Sequence, residues 1–546
     1  MTRLSGLGLG LVAGMVLATA ASGQRPVTHA TLVYAVGKEP TMPIPVLMGN
    51  DEANSDLSDQ LFLHLATFAP GSRVAGDNAL VPSLAKSWRR IDPLTMVFEI
   101  DPRARWHDGV PVTAHDVVYT WQLANDPKVG TDQARLESIA SVEATAQRTV
   151  KVRFKRPSPE QLYVFGFLIQ PLPSHLLEKM APEAISSSDY AKRPIGNGPY
   201  RYARRVPGTS IELTADSTFF LGRPTIARLV FRVAVDPNLR ISLFLDGETD
   251  VLDKIPPASL PQVQQHPGTR LAEVPSNQVV FLLFNTRSGT DTARPSPYFV
   301  DPRVREALTL ALDRPAIARE TYGPTARVPD AAQSQLWGWI TPGGISGAQA
   351  NVNRAKTLLA EAGWRDANGD GILDRNGVPF HFKLLYGNAT ASRHTLALKV
   401  QQMWRAVGVD VELDRVDGGV VRQRVLAGQW EMSANTANQD PTPSSLVQSW
   451  SCEAAHSPGS SNFARWCDST FDRLVSAATT AKDPVGAWRA VLTRMSSQHP
   501  AIFVAAPTNA VAVHTRFDNV TIWPSHAWLS LWQWRVRPEA ALPRDR

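Results

Sequence analysis

Cysteine is nearly absent: 546 residues hold two, Cys452 and Cys467. Two thiolates cannot complete a four-ligand zinc site, and no His pair at i, i+4 joins them. The chain has no G-x-S-x-G elbow, no H-E-x-x-H helix and no G-x-x-x-x-G-K-[ST] loop, which removes common signatures of hydrolases, zinc proteases and nucleotide-dependent enzymes. Basic runs are missing too. The 56 Lys and Arg exceed the 50 Asp and Glu by six, and no cluster concentrates the excess, so nucleic acid is excluded as a partner. The 12 His are scattered, which argues against nickel or haem carriage. After the first 23 residues no apolar run approaches the length of about 18 residues that a membrane helix needs.

What is present begins with an export signal. Arg3 supplies a positive end, Leu7 to Leu17 an apolar stretch, and Ala18-Thr19-Ala20 and Ala21-Ser22-Gly23 two small-residue cleavage sites. Residues 1–23 therefore read as a cleaved signal peptide; the competing reading is an uncleaved anchor. No Cys follows the apolar stretch, so the expected product is periplasmic and not lipidated. In that oxidising compartment an isolated pair, Cys452 and Cys467, reads as one disulfide contributing about 3 kcal/mol; the alternative is two buried free thiols. An apolar fraction of 43% and a charged fraction of 19% describe a globular chain long enough for several domain-sized units.

Hydrophobic patterning predicts an α/β mixture. Thr31 to Val36, Met96 to Ile100, Thr149 to Phe154, Ile226 to Val235 and Val279 to Phe284 read as strands. Thr113 to Asp116 opens a helix with a variant capping box. In DPRVREALTLALDR, Asp301 caps a helix, Pro302 fits its first turn, and Val304, Ala307, Leu308, Ala311 and Leu312 form one buried stripe. Helices at Asn353 to Ala362, Thr395 to Val407 and from Asp483-Pro484 onward alternate with strands at Val409 to Leu413, Ile502 to Ala506 and Ala510 to Val513. The last ten residues read as a loose tail.

Several segments, in order, carry a resemblance: WHDGVPVTAHDVVYTW (Trp106 to Trp121), PIGNGPY (Pro194 to Tyr200), Gly222-Arg223-Pro224, LFLDGETDVL (Leu243 to Leu252), DPRVREALTLALDR (Asp301 to Arg314), AKTLLAEAGW (Ala355 to Trp364) and NFARWCDSTFDRLVSAA (Asn462 to Ala478). Together they resemble the family 5 solute-binding proteins of ABC importers, whose dipeptide-binding and antimicrobial-peptide-resistance branch has a similar SC…NF..WC arrangement with the two cysteines disulfide-bonded. The resemblance implies a two-lobed periplasmic binding protein fold, type II, in the large family 5 variant with an extra subdomain in the first lobe. Residues 24–285 plus 510–546 would form that lobe, about 71–195 its inserted subdomain, and 286–509 the second lobe. It implies a monomeric carrier with no catalysis and no cofactor, which captures a peptide or peptide-like solute and delivers it to a membrane permease and its ATPase subunits. An oligosaccharide or an opine-like conjugate is the alternative cargo, and a secreted hydrolase the alternative class.

The branch holds a peptide's amino end with a W-x-x-D-x-x-D-P pattern. Here ANTANQDP places Ala434 and Ala437 at the Trp and the first Asp, and only Asp440 and Pro441 persist. A buried ammonium needs a paired carboxylate. Asp440, Glu39 or Asp56 would have to supply it, or the ligand lacks a free amine, and weak binding of free dipeptides is the expectation. Asn435, Asn438 and Gln439 offer neutral donors and acceptors, or simply satisfy their own loop. Trp430 and Trp450 flank this stretch as candidates for packing against a ligand. Asp366, Asn368, Asp370 and Asp374 resemble the start of a calcium loop, but Gly377 stands where the bidentate Glu belongs, so an Asx-rich turn competes with calcium. His107-Asp108 and His115-Asp116 read as turn and cap residues before acid–base pairs.

Overall fold

The computed structural model describes residues 29–41, 43–48, 51–69, 79–129, 136, 138–158, 160–288, 291–340, 349–388, 390–440, 442–457, 460–524 and 526–545. The signal peptide expected at residues 1–23 lies outside the described residues, as does Pro441.

Three sheets carry the fold. The first has seven strands in the order Thr269–Pro275, Thr508–His514, Val251–Leu252, Thr31–Val36, Arg228–Val233, Ser210–Ala215 and Tyr200–Val206. The second has five, in the order Asp410–Val416, His381–Gly387, Met432–Asn438, Gln278–Phe284 and Ala501–Ala505. A four-stranded antiparallel sheet, Ala85–Asp92, Thr95–Ile100, Thr149–Phe154 and Ile139–Ala146, is inserted between the first strand and the remainder of the first sheet. Apolar residues of this insertion, such as Phe98 and Val150, share one core with Leu32, Leu229 and Phe231 of the first sheet. Within the second sheet, the strand Gln278–Phe284 is buried on both faces: Val280, Leu282 and Phe284 enter one apolar cluster, Val279 and Leu283 another. That explains the unbroken apolar run VVFLLF, since a strand covered on both sides has no polar face to alternate with.

The chain passes between the two large sheets twice. It leaves the first at Pro275 and enters the second at Gln278; it leaves the second at Ala505 and re-enters the first at Thr508. The first passage comes earlier than residue 285, because Gln278–Phe284 is hydrogen-bonded between Met432–Asn438 and Ala501–Ala505. An apolar strand of seven residues gives no sequence sign of which sheet will receive it.

Helices start where capping chemistry is present. Asp301 accepts the amide of Arg303 before the helix Pro302–Leu310, and Asp483 accepts that of Gly486 before Pro484–Gln498. Cys452 and Cys467 are bonded to each other and tie the helix Cys452–His456 to the segment before Ser469–Ala478.

The C-terminal segment is not a loose tail. Asp545 is fully buried; its carboxylate accepts the amides of Thr31 and Leu542 and pairs with Arg516 at 2.8 Å. Arg516 also pairs with Asp250 at 2.7 Å, and Asp250 takes Arg544 and the amide of Val33. The misreading has a plain cause: this anchor is made of charge pairing, and the pattern of the segment has no apolar periodicity to announce it.

Candidate functional site at the boundary between the lobes

Strand direction places the site. Thr31–Val36 runs parallel to Arg228–Val233 and to Val251–Leu252, and Val251–Leu252 runs antiparallel to Thr508–His514, which begins at a crossover. The carboxyl ends of those three strands therefore point toward the second sheet. In that sheet His381–Gly387, Asp410–Val416 and Met432–Asn438 are mutually parallel, and Met432–Asn438 is antiparallel to Gln278–Phe284, which also begins at a crossover. Their carboxyl ends point back toward the first. Ligands of α/β sheets bind outside the carboxyl ends of the strands. Asp253–Pro257 on one side and Asn388, Asp417 and Gln439–Asp440 on the other thus lie at the boundary. Pro257 packs close enough to Gly323 of the second lobe that a Cβ there would sit 3.6 Å from its Cγ.

The first-lobe side of this boundary is acidic. The helix Glu52–Leu61 carries Glu52, Asp56 and Asp59 at successive turns of one face. Asp56 is 8% exposed, and its carboxylate has no hydrogen bond among the described residues. Burial pushes its pKa well up, and the nearby charges of Glu52, Asp253 and Asp59 add to this against the opposing Lys254. Asp253 accepts the hydroxyl of Tyr34 at 2.9 Å; burial raises its pKa too, while Lys254 and Tyr34 work the other way. Lys254 pairs with Glu52 at 2.6 Å from a left-handed backbone (φ 49°), a conformation that costs a non-glycine residue about 1 kcal/mol. Glu52, Asp56 and Asp253 share the one ammonium of Lys254, so this face is short of positive charge.

Two sequence motifs hold that helix in place. His107 of the HDG turn donates through Nε2 to the carbonyl of Gly198 (3.0 Å) and accepts the amide of Gly196 at Nδ1 (3.1 Å). The PIGNGPY segment so fixed gives the amides of Asn197 and Gly198 to the carbonyl of Leu61, the last residue of the helix, and Asn197 Oδ1 accepts the amide of Leu63. A Cβ on Gly196 would sit 1.9 Å from the Leu61 oxygen, so close approach demands glycine there. These motifs are scaffolding for the acidic helix.

The residues expected from sequence scatter over several roles. Asn438 is exposed and pairs with Gln278, and Gln439 gives its amide to the Asn277 carbonyl at 2.7 Å, so both lie beside the first crossover. Asp440 follows them; its carbonyl takes the indole N–H of Trp337 at 2.9 Å. Asn435 turns its amide onto the Ser433 carbonyl. Ala434 is buried in the apolar cluster behind the sheet, so its small side chain reports packing; Ala437, on the opposite face near the crossover, is half-buried. Trp430 and Trp450 are both buried, Trp450 against Phe281, Trp466 and Phe503. Glu39 is committed to Arg205 at 2.7 Å and to the amide of Gly208, which hold its pKa down. Asp56 alone among the expected acids stands buried and without a hydrogen bond at its carboxylate.

Three of the four calcium-loop candidates close on their own backbone, whereas Asp374 Oδ2 is buried without a hydrogen-bond partner among the described residues. Asp366 accepts the amides of Gly369 and Gly371, Asn368 that of Asp370, and Asp370 that of Ile372, while Gly377 adopts φ 74°. These bonds follow the pattern of an Asx-rich turn. The His-Asp neighbours also part: Asp108 pairs with His175, His115 with Glu178, and Asp116 caps its helix by accepting the Thr113 amide. Sequence reasoning missed Asp253 and Tyr34: Tyr34 lies inside a strand that patterning predicts, and the two-residue strand before Asp253 is too short to read from sequence.

The family model of bacterial extracellular solute-binding proteins, family 5, middle region, matches residues 79–457. The chain belongs to that family. The oligopeptide-binding protein AppA of Bacillus subtilis is 24% identical over 535 residues, covering 94% of this chain and 93% of the relative. A putative ABC transporter peptide-binding protein of Brucella ovis is 30% identical over 375 residues, 67% of each chain. The solved structure of Bacillus subtilis AppA in complex with a nonapeptide matches with a TM-score of 0.76 at 23% identity, covering 93% of this chain and 99% of that one. The family 5 protein thus has the two-lobed fold expected from its sequence.

Proposed function

We propose that this family 5 protein is the exported solute-binding component of an ABC importer, without turnover of its own, which closes two lobes on a peptide and hands it to a membrane permease and its ATPase subunits. It acts as a monomer in the periplasm, after removal of residues 1–23. The lobes are the units around the seven-stranded and five-stranded sheets, with residues 71–195 inserted in the first. The peptide-binding names of the relatives support the cargo class.

The observation that carries the reading is the buried Asp56 at the boundary, without a hydrogen bond at its carboxylate and with Asp253 beside it. The peptide ammonium enters this acidic face and pairs with Asp56; this replaces the carboxylate that Ala437 does not supply. A charge-assisted pair in a closed cleft is strong because water is excluded from both partners. Asn438 and Gln439 meet the peptide backbone from the second lobe.

Isothermal titration calorimetry with a panel of peptides of two to nine residues, each with a free and an acetylated amino end, tests this. Binding that weakens at least tenfold on acetylation supports it. Hydrolysis of any peptide that survives extensive purification would end the carrier reading, and equal affinity for acetylated peptides would end the role of Asp56.

A further inference from the structure

We propose that Asp59, His64 and His526 form a binding site for one divalent transition-metal ion of the zinc, nickel or copper kind, within the first lobe. Asp59 and His526 meet here across 467 positions of the chain, with His64 beside them. Asp59 Oδ1 lies 3.2 Å from His64 Nε2, and Asp59 Oδ2 lies 2.7 Å from His526 Nδ1. The three candidate ligand atoms all fall within 4.8 Å of one another. Ligands about 2.0–2.1 Å from a tetrahedral ion stand roughly 3.3 Å apart, so the widest of the three spacings must close by up to about 1.5 Å, a movement within reach of the partly exposed His526 ring.

Proton accounting favours a cation at the centre. His64 Nδ1 bonds the carbonyl of Phe167, which can only accept, so Nδ1 carries the ring proton. In that tautomer of the neutral ring, Nε2 would turn its lone pair to a carboxylate oxygen 3.2 Å away, the geometry of two ligand atoms that share one cation. Gln170 does not satisfy both. Its Nε2 has two hydrogens and three acceptors within reach: Asp59 Oδ1 at 3.1 Å, and His64 Nε2 and the Phe62 carbonyl at 3.2 Å each. Ser58 donates to Gln170 Oε1 and fixes the amide in that orientation. A positive ion between His64 Nε2 and Asp59 satisfies both.

The surroundings suit a metal. A backbone carbonyl on the far nitrogen of a ligand histidine fixes its tautomer and aim, the usual arrangement around bound metals. His64 is further locked by stacking on Phe167 at 4.3 Å. Asp59 and His64 are buried, whereas the His526 side chain is 27% exposed and opens a path for the ion and for a water ligand. The site does not depend on which solute the cleft carries.

The test uses the untagged full chain with its disulfide intact, stripped with a chelator and titrated with zinc chloride, then nickel chloride, by calorimetry, with metal content read by mass spectrometry. One equivalent bound at micromolar or tighter affinity is expected, with a zinc-dependent rise in Tm. In His526→Ala, whose side chain is partly exposed, affinity should fall at least thirtyfold and the Tm rise should vanish. The cobalt-loaded wild type gives an independent reading, since its visible spectrum should show nitrogen and oxygen ligation. Absence of stoichiometric uptake would mean that a proton alone bridges the pair and overturns the proposal, as would uptake unchanged in His526→Ala.

Discussion

Asp56 and Asp253 have raised pKa values for a shared reason: burial strips water from the charged form. A folded-state carboxyl that holds its proton more tightly than the unfolded chain contributes stability at pH below the ordinary carboxylate range, and that contribution is lost as pH rises through the raised value. The charged form of Asp56 is therefore the one that works against the empty protein. Replacing it by Asn should raise the Tm of the ligand-free protein by about 1–3 °C while weakening binding of free-amine peptides at least tenfold; calorimetry of both states checks this, and a lowered Tm would show that Asp56 is structural. His107 runs the opposite way. Burial lowers its pKa to about 4, and its two hydrogen bonds need the neutral ring. Its contribution is complete above about pH 6.5 and is lost as pH falls from there toward 4. Urea unfolding between pH 6 and 4.5 should lose about 1.4 kcal/mol of pH dependence per pH step in His107→Gln; an unchanged slope would contradict the neutral-ring assignment. At this scale the sequence was only partly legible. Asp56 could be named as a candidate, but its isolation from other partners depends on burial, and Glu39 looked equivalent until Arg205 appeared beside it.

Elements were far more legible than residues, because patterning and capping act locally. The strand Thr149–Phe154 has the bounds its alternation predicts, and the Asp301 and Asp483 caps start helices where the sequence places them. The C-terminal segment failed for the complementary reason, since its structure comes from distant charges. Arg516 is 6% exposed at its side chain and Asp250 and Asp545 are fully buried, so removal of one partner leaves the others uncompensated. Asp545→Ala should cost about 3–5 kcal/mol, measurable by urea denaturation. A cost below about 1 kcal/mol would show that the pairing behaves like a surface salt bridge.

For the whole molecule, the chain just after the inserted sheet adds a contact that two bare lobes would lack. Ser444 of the second lobe donates to Glu160, which follows the inserted sheet in sequence and is 4% exposed. This contact favours the closed arrangement, and a ligand's apparent affinity scales with the closed population. Ser444→Ala should increase the radius of gyration of the ligand-free protein in X-ray scattering and weaken peptide binding two- to fivefold; identical scattering and affinity would deny the contact a role in closure. The two-lobed plan was legible through the family motifs, two of which hold the acidic helix in place here. Where the first lobe ends was not, because Gln278–Phe284 suits either sheet until its hydrogen-bond partners are known.

The anchoring of Asp545 to Thr31 has a consequence for the order in which a polypeptide delivered amino end first becomes native. The second sheet draws its strands from residues 278–505 and is complete as soon as these have been delivered. The first sheet cannot close then, because Thr508–His514 sits inside it, between Thr269–Pro275 and Val251–Leu252, and Asp545 must still reach the opening strand. Contacts of such long sequence separation form late, since loop closure precedes any reward. A chain ending at residue 507 should therefore give a protease-resistant second lobe attached to a digestible N-terminal half, and restoring residues 508–546 should protect both. The half made first waits longest, with its strand edges open to other chains and to chaperones.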